Sequence, residues 1–167
     1  MQKLLPLIIF ILFFNRVNAQ SPADSNAKHS PLKTLTDDQY NALLNGDDLY
    51  NMALVAELNH YPYPVKVIKF KSELNLSPIQ VNKISAINKE LHRKILEMGL
   101  IIIRNEQTLD SLFRTHRLNN GSLIFYANRY GLYQGELRNA ILQACLTTSS
   151  LLSQQQINKF EALQKAN

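Results

Sequence analysis

Apolar residues recur along this chain at steps of three and four, the spacing that lines them up on one face of a helix. The longest such run opens at Pro78. Ile84, Ile87, Leu91, Ile95, Met98, Ile102, Leu109 and Leu112 form one stripe, which predicts a single helix to about Arg114. Asn105 interrupts it where an apolar residue is expected between Ile102 and Leu109. At ~1.5 Å per residue such a helix is over 50 Å long, and it cannot bury its stripe without a partner helix. The partner follows in sequence. After a break at Thr115-His116-Arg117-Leu118-Asn119-Asn120-Gly121, with Ser122 as the expected cap, Ala127, Tyr130, Gln134, Leu137, Ile141, Ala144 and Thr148 define a returning helix. The two read as arms of an antiparallel hairpin.

Shorter elements flank it. Thr36-Asp37-Asp38-Gln39 is a capping box that opens a helix carrying Leu43 and Leu44, and Gly46 interrupts it. Asp47 or Asp48 restarts a helix through Leu49, Met52, Ala53, Val55, Ala56 and Leu58. Asn59-His60-Tyr61-Pro62-Tyr63-Pro64 is a proline-locked turn, and Pro64 begins a short helix with Val67, Ile68 and Phe70. Ser153 caps a last helix with Ile157, Phe160 and Leu163. The expected fold class is all-α: a long antiparallel helical hairpin with short N-terminal helices and a short C-terminal helix. Five glycines and six prolines are too sparse for the turns of an all-β sandwich.

The first 35 residues read differently. Lys3, the apolar run 4–14 and the small residues of Val17-Asn18-Ala19 make residues 1–19 a secretory signal peptide cleaved after Ala19. The run falls short of the about 20 residues a permanent span needs, so no transmembrane segment is expected in the mature chain. Residues 20–35 are polar, contain Pro22 and Pro31, and read as a flexible tether. Residues 36–165 remain as a single helical domain. Without Lys3 and Arg16 the 18 basic residues fall to 16 against 13 acidic ones, a net of +3. That favours acidic partners weakly and is far from a nucleic-acid footprint, so no nucleic acid is expected. Cys145 is the lone cysteine; no intrachain disulfide can form, and a buried apolar role is expected.

Catalytic motifs are missing. The chain has no Gly-rich phosphate loop, His-Glu-x-x-His, paired cysteines or nucleophile elbow, so an enzyme is not expected. His60, His92, His116 and Met98 are the candidate metal ligands. No histidine has a second one three or four positions away, so neither a metal site nor a cofactor is expected. Met98-Gly99-Leu100-Ile101-Ile102-Ile103 is more informative. Four consecutive large apolar residues reach three-quarters of the way around a helix and cannot all face one partner. The N-terminal helices, a second subunit or a client protein must cover part of them. Met98, Leu100, Ile101, Ile103 and Arg104, with Tyr126, Tyr130 and Tyr133 on the return helix, form the candidate client surface. Arg114, Arg129 and Arg138 interleave with these to give a mixed apolar and basic face.

One short pattern appears twice. Leu76-Ser77-Pro78-Ile79-Gln80 and Leu152-Ser153-Gln154-Gln155-Gln156 both read Leu-Ser-x-x-Gln, each a capping box at a helix start. With the export signal and the hairpin, this doubled pattern resembles the LTxxQ motif of the Spy/CpxP family of periplasmic proteins, with Ser77 and Ser153 in place of Thr. Residues 56–64 also resemble the AELNxYPGP segment found ahead of the first motif in some members, with Tyr63 where Gly is usual. The resemblance implies a periplasmic, all-helical protein, often a homodimer of hairpins forming a curved cradle. It implies ATP-independent binding of unfolded or partly folded envelope proteins, or a role in envelope stress. The alternative it implies is a periplasmic metal-sensing or metal-buffering protein of the related heavy-metal-resistance group. Some of those relatives carry two histidines four apart on the return helix, where this chain has Ile141 and Cys145, and that departure counts against metal. Leu76, Ser77, Gln80, Leu152, Ser153 and Gln156 are then structural caps rather than a working surface.

Overall fold

Six helices appear in the computed structural model, which describes residues 28–48 and 50–165: α1 (Asp37–Asn45), α2 (Leu54–Glu57), α3 (Pro64–Lys69), α4 (Pro78–Arg114), α5 (Asn120–Ser150) and α6 (Gln154–Lys165). The expected signal peptide, the first part of the expected tether (20–27) and Leu49 lie outside the described residues. Among the described residues there is no strand, and no helix is long and apolar enough to cross a membrane.

Local chemistry explains the helix ends. The Thr36 hydroxyl accepts from the Gln39 N–H at 3.2 Å, and the Gln39 side chain accepts from the Thr36 N–H at 2.9 Å, which starts α1. Gly46, at φ 79, ends it in the left-handed conformation that costs glycine little. The expected restart is shorter than its apolar spacing suggests. The Asp48 carboxylate accepts from the Met52 and Ala53 N–H groups, but Asn51 sits at φ 50, and only Leu54–Glu57 become helical. α4 runs from Pro78 to Arg114 as predicted. The return helix starts earlier than Ser122. Asn119 is the N-cap, accepting from the Ser122 N–H at 2.9 Å, while the Ser122 hydroxyl accepts from the Asn119 N–H at 3.0 Å. Tyr63 is extended at φ −71, so its place in the turn has no need of glycine.

Three apolar clusters follow one another along α4. At its base, Ile84 packs with Val67 of α3, Leu74 and Phe160 of α6, and Phe160 meets Phe70 edge-on at 6.1 Å. In the middle, Leu91 and Ile95 join Ala53 and Ala56 from the α2 region and Leu137, Ile141, Ala144 and Cys145 of α5. Farther out, Ile103 is covered by Leu32 and Leu35, with Tyr40, Leu43 and Leu44 against them. Two expectations are corrected there. The last part of the expected tether, from Lys28, is docked: Asn41 accepts from the Lys28 N–H at 2.9 Å, and Asp37 accepts from the Ser30 N–H at 2.7 Å. Leu32 and Leu35 supply the apolar area that fixes it. Ile103, assigned to the client surface, is 5% exposed and belongs to this core. The N-terminal segment covers that side of the apolar run.

Asn105 breaks the apolar stripe for a reason. It is buried, and its amide donates to the Tyr126 carbonyl at 3.0 Å, tying α4 to α5. α1 comes so close to α4 that a methyl group on Gly99 would run into the Leu43 carbonyl oxygen. Gly99→Ala should therefore cost about 1–3 kcal/mol despite alanine's better helix propensity. The measurement is the denaturant midpoint, and an unchanged or raised midpoint would refute this close packing.

Candidate functional site

The two motif copies meet at the base of the hairpin. Ser77 Oγ accepts from the Gln80 N–H, and Gln80 Oε1 accepts from the Ser77 N–H at 2.9 Å. Ser153 and Gln156 repeat this, with 3.0 Å from the Ser153 N–H to Gln156 Oε1. The glutamines then do more than cap. Gln80 Nε2 donates to the Leu151 carbonyl at 2.8 Å and to Gln156 Oε1 at 2.9 Å. Gln156 Nε2 donates to the Leu74 carbonyl at 3.4 Å and to Gln80 Oε1 at 3.3 Å. Each carboxamide thus accepts and donates on both sides of the junction, using the full inventory of an amide. Leu76 and Leu152 pack half-buried on the cluster beneath. The doubled pattern is a clasp between the start of α4 and the start of α6.

The candidate client surface is divided by the fold. Ile101 and Arg104 of α4 and Tyr126 and Tyr133 of α5 line one open groove of about 480 Å³, together with Asn105, Thr108, Phe125 and Arg129. Met98 packs half-buried against the middle cluster instead. Leu100 points outward, 44% exposed. Tyr130 lies outside that groove, half-buried and accepting from Gln134 Nε2 at 3.4 Å, and burial raises its pKa. Ile103 is core, as described above.

Phe125 was missed in the sequence and Arg129 was read only as part of a mixed basic face, although the i, i+4 spacing of Phe125, Arg129 and Tyr133 was visible in it. The Arg129 guanidinium lies 4.8 Å from the Phe125 ring centroid and 5.3 Å from that of Tyr133. Its Nε donates to the Tyr133 hydroxyl at 2.7 Å, and Nη2 contacts the same oxygen. The cation is therefore held in place before anything binds. Three basic residues are paired: Arg93 with Glu90 and Glu97, Lys66 with Glu57 at 2.6 Å, and Arg114 with Asp110 at 3.8 Å. Arg104 and Arg129 have no carboxylate partner among the described residues.

The metal candidates stay apart. His60 contacts Glu161 of α6, and among the described residues no three His, Cys, Asp or Glu side chains gather as a metal site requires. Cys145 is fully buried, and burial pushes its thiol up to about 12. Compared with family models, with curated proteins and with solved structures, the chain matches none.

The clasp and the thiol each generate a test. Gln80→Glu keeps the cap but loses both donations and sets a carboxylate against two oxygens, which should cost about 1–3 kcal/mol near neutral pH. Acid should return part of that stability by protonating the new carboxyl. A Gln80→Ala/Gln156→Ala double-mutant cycle should give a coupling of roughly 0.5–3 kcal/mol, and additive losses would refute the clasp. Cys145 should react with a thiol reagent only as the protein unfolds, and prompt labelling of the native chain would contradict its burial.

Proposed function

We propose that this protein is an ATP-independent, periplasmic chaperone or envelope-stress protein that holds unfolded or partly folded envelope proteins on an apolar and basic helical surface. The observation that carries this reading is the groove between α4 and α5, where Ile101 and three aromatic rings lie beside two cations without carboxylate partners. Aromatic and aliphatic walls bind apolar segments without demanding a sequence, and the guanidiniums draw in segments rich in Asp and Glu. Each buried side chain of a client contributes only about 1.5–3 kcal/mol, which allows release without nucleotide. The doubled Leu-Ser-x-x-Gln pattern and the export signal support membership of the Spy/CpxP family and with it the periplasmic location. A homodimer of hairpins belongs to the same proposal. The binding role is favoured over a metal-sensing one because the described histidines and Cys145 do not converge.

The test is suppression of aggregation of a chemically denatured client, without nucleotide, at equimolar protein. Suppression is expected, and none at several-fold excess would overturn the proposal. Ile101→Asp and Arg129→Glu should each weaken suppression by roughly tenfold with helicity unchanged, since Ile101 lies half-buried in the groove and Arg129 is exposed. A melting temperature that rises on titration with zinc or copper would favour the metal reading instead.

A further inference from the structure

The outer end of the hairpin is built unlike the rest. From Glu106 through the turn to Glu136 no residue is buried, although the stretch holds Leu109, Leu112, Leu118, Leu123 and Tyr126. The N-terminal cover stops at Ile103, and α4 runs on from Asn105 to Arg114, ~14 Å, with α5 as its companion. Large apolar side chains stand exposed at the very end: Phe113 at 54%, Leu123 at 38% and Ile124 at 60%. Charge there is one-sided. From Ser111 to Gly135 the chain carries Arg114, Arg117, Arg129 and His116, with neither Asp nor Glu. Arg114 reaches back to Asp110, while Arg117 is exposed and has no carboxylate partner among the described residues.

We propose that this tip docks on an anionic phospholipid surface, with Phe113, Leu123 and Ile124 entering the boundary between headgroups and acyl chains and Arg117 with its neighbours meeting the phosphates. Two features select a bilayer over a protein partner. Leu123 and Ile124 are successive positions on α5, about 100° apart around the helix, and Phe113 projects from the other arm, so the apolar groups point several ways. A rigid partner covers one face, whereas a bilayer interface closes around a protruding tip. The cations also share this stretch of chain with no acid from Ser111 to Gly135, which matches a sheet of like negative charges. This docking is independent of the groove, whose lining includes none of Phe113, Ile124 and Arg117.

The experiment is co-sedimentation of the naturally processed chain with vesicles of phosphatidylcholine alone or mixed with phosphatidylglycerol. Binding should appear with the anionic vesicles and fall as salt rises. Arg117→Ser should weaken it about fivefold. Phe113→Ser combined with Ile124→Ser should weaken it by at least about tenfold. All three positions are exposed, so circular dichroism should match the parent, and aggregation suppression should persist in these variants. Equal binding to both vesicle types, no binding to either, or variants that bind like the parent would overturn the proposal. So would self-association lost in the variants with no vesicle binding, which would make the tip a contact between copies.

Discussion

A helix of 37 residues with an apolar stripe along its length cannot be stable in water alone, and every other element answers to that constraint. α4 is covered in succession by different parts of the chain. α3 and α6 close its base, α2 and α5 its middle, and the docked segment from Lys28 reaches Ile103. Past Asn105 the cover thins to α5, and burial ends. Local stability is graded accordingly, from a well-packed base to an end held by partly buried contacts and the Asn105–Tyr126 bond.

This gradient separates two jobs. The motif residues join the packed base of the hairpin, and the open groove with its stacked Arg129 sits where packing is sparser. Surfaces that bind other molecules are drawn from the less stable parts of a fold, because an already satisfied side chain has little to offer a partner. The proposed holding surface straddles Asn105, at the border beyond which apolar area remains unspent.

What could be read from the sequence follows the range of the interactions. The bounds of α4 and the boxes at Thr36, Ser77 and Ser153 were legible because caps involve residues three apart. Ile103 was misplaced because a run of four apolar residues does not say which neighbour covers each side. Leu32 and Leu35 were hidden in a polar stretch with no periodicity to mark them, and their role comes from Ile103, far along the chain, together with α1 residues such as Leu43 and Leu44. The pairing of Gln80 with Gln156 spans 76 residues, and no local rule could predict it. Half the groove was anticipated: Ile101, Arg104, Tyr126 and Tyr133 were chosen for their chemistry, while the stacking of Arg129 needed geometry.

The clasp has a consequence in its choice of chemistry. An ion pair at that joint would weaken with ionic strength, and a carboxylate or imidazole would gain or lose a proton as the surroundings turn acid. Two carboxamides do neither. They carry no net charge, do not titrate, and satisfy one another with equal numbers of donors and acceptors. The joint is therefore held alike in acid, in neutral medium, in brine and in fresh water.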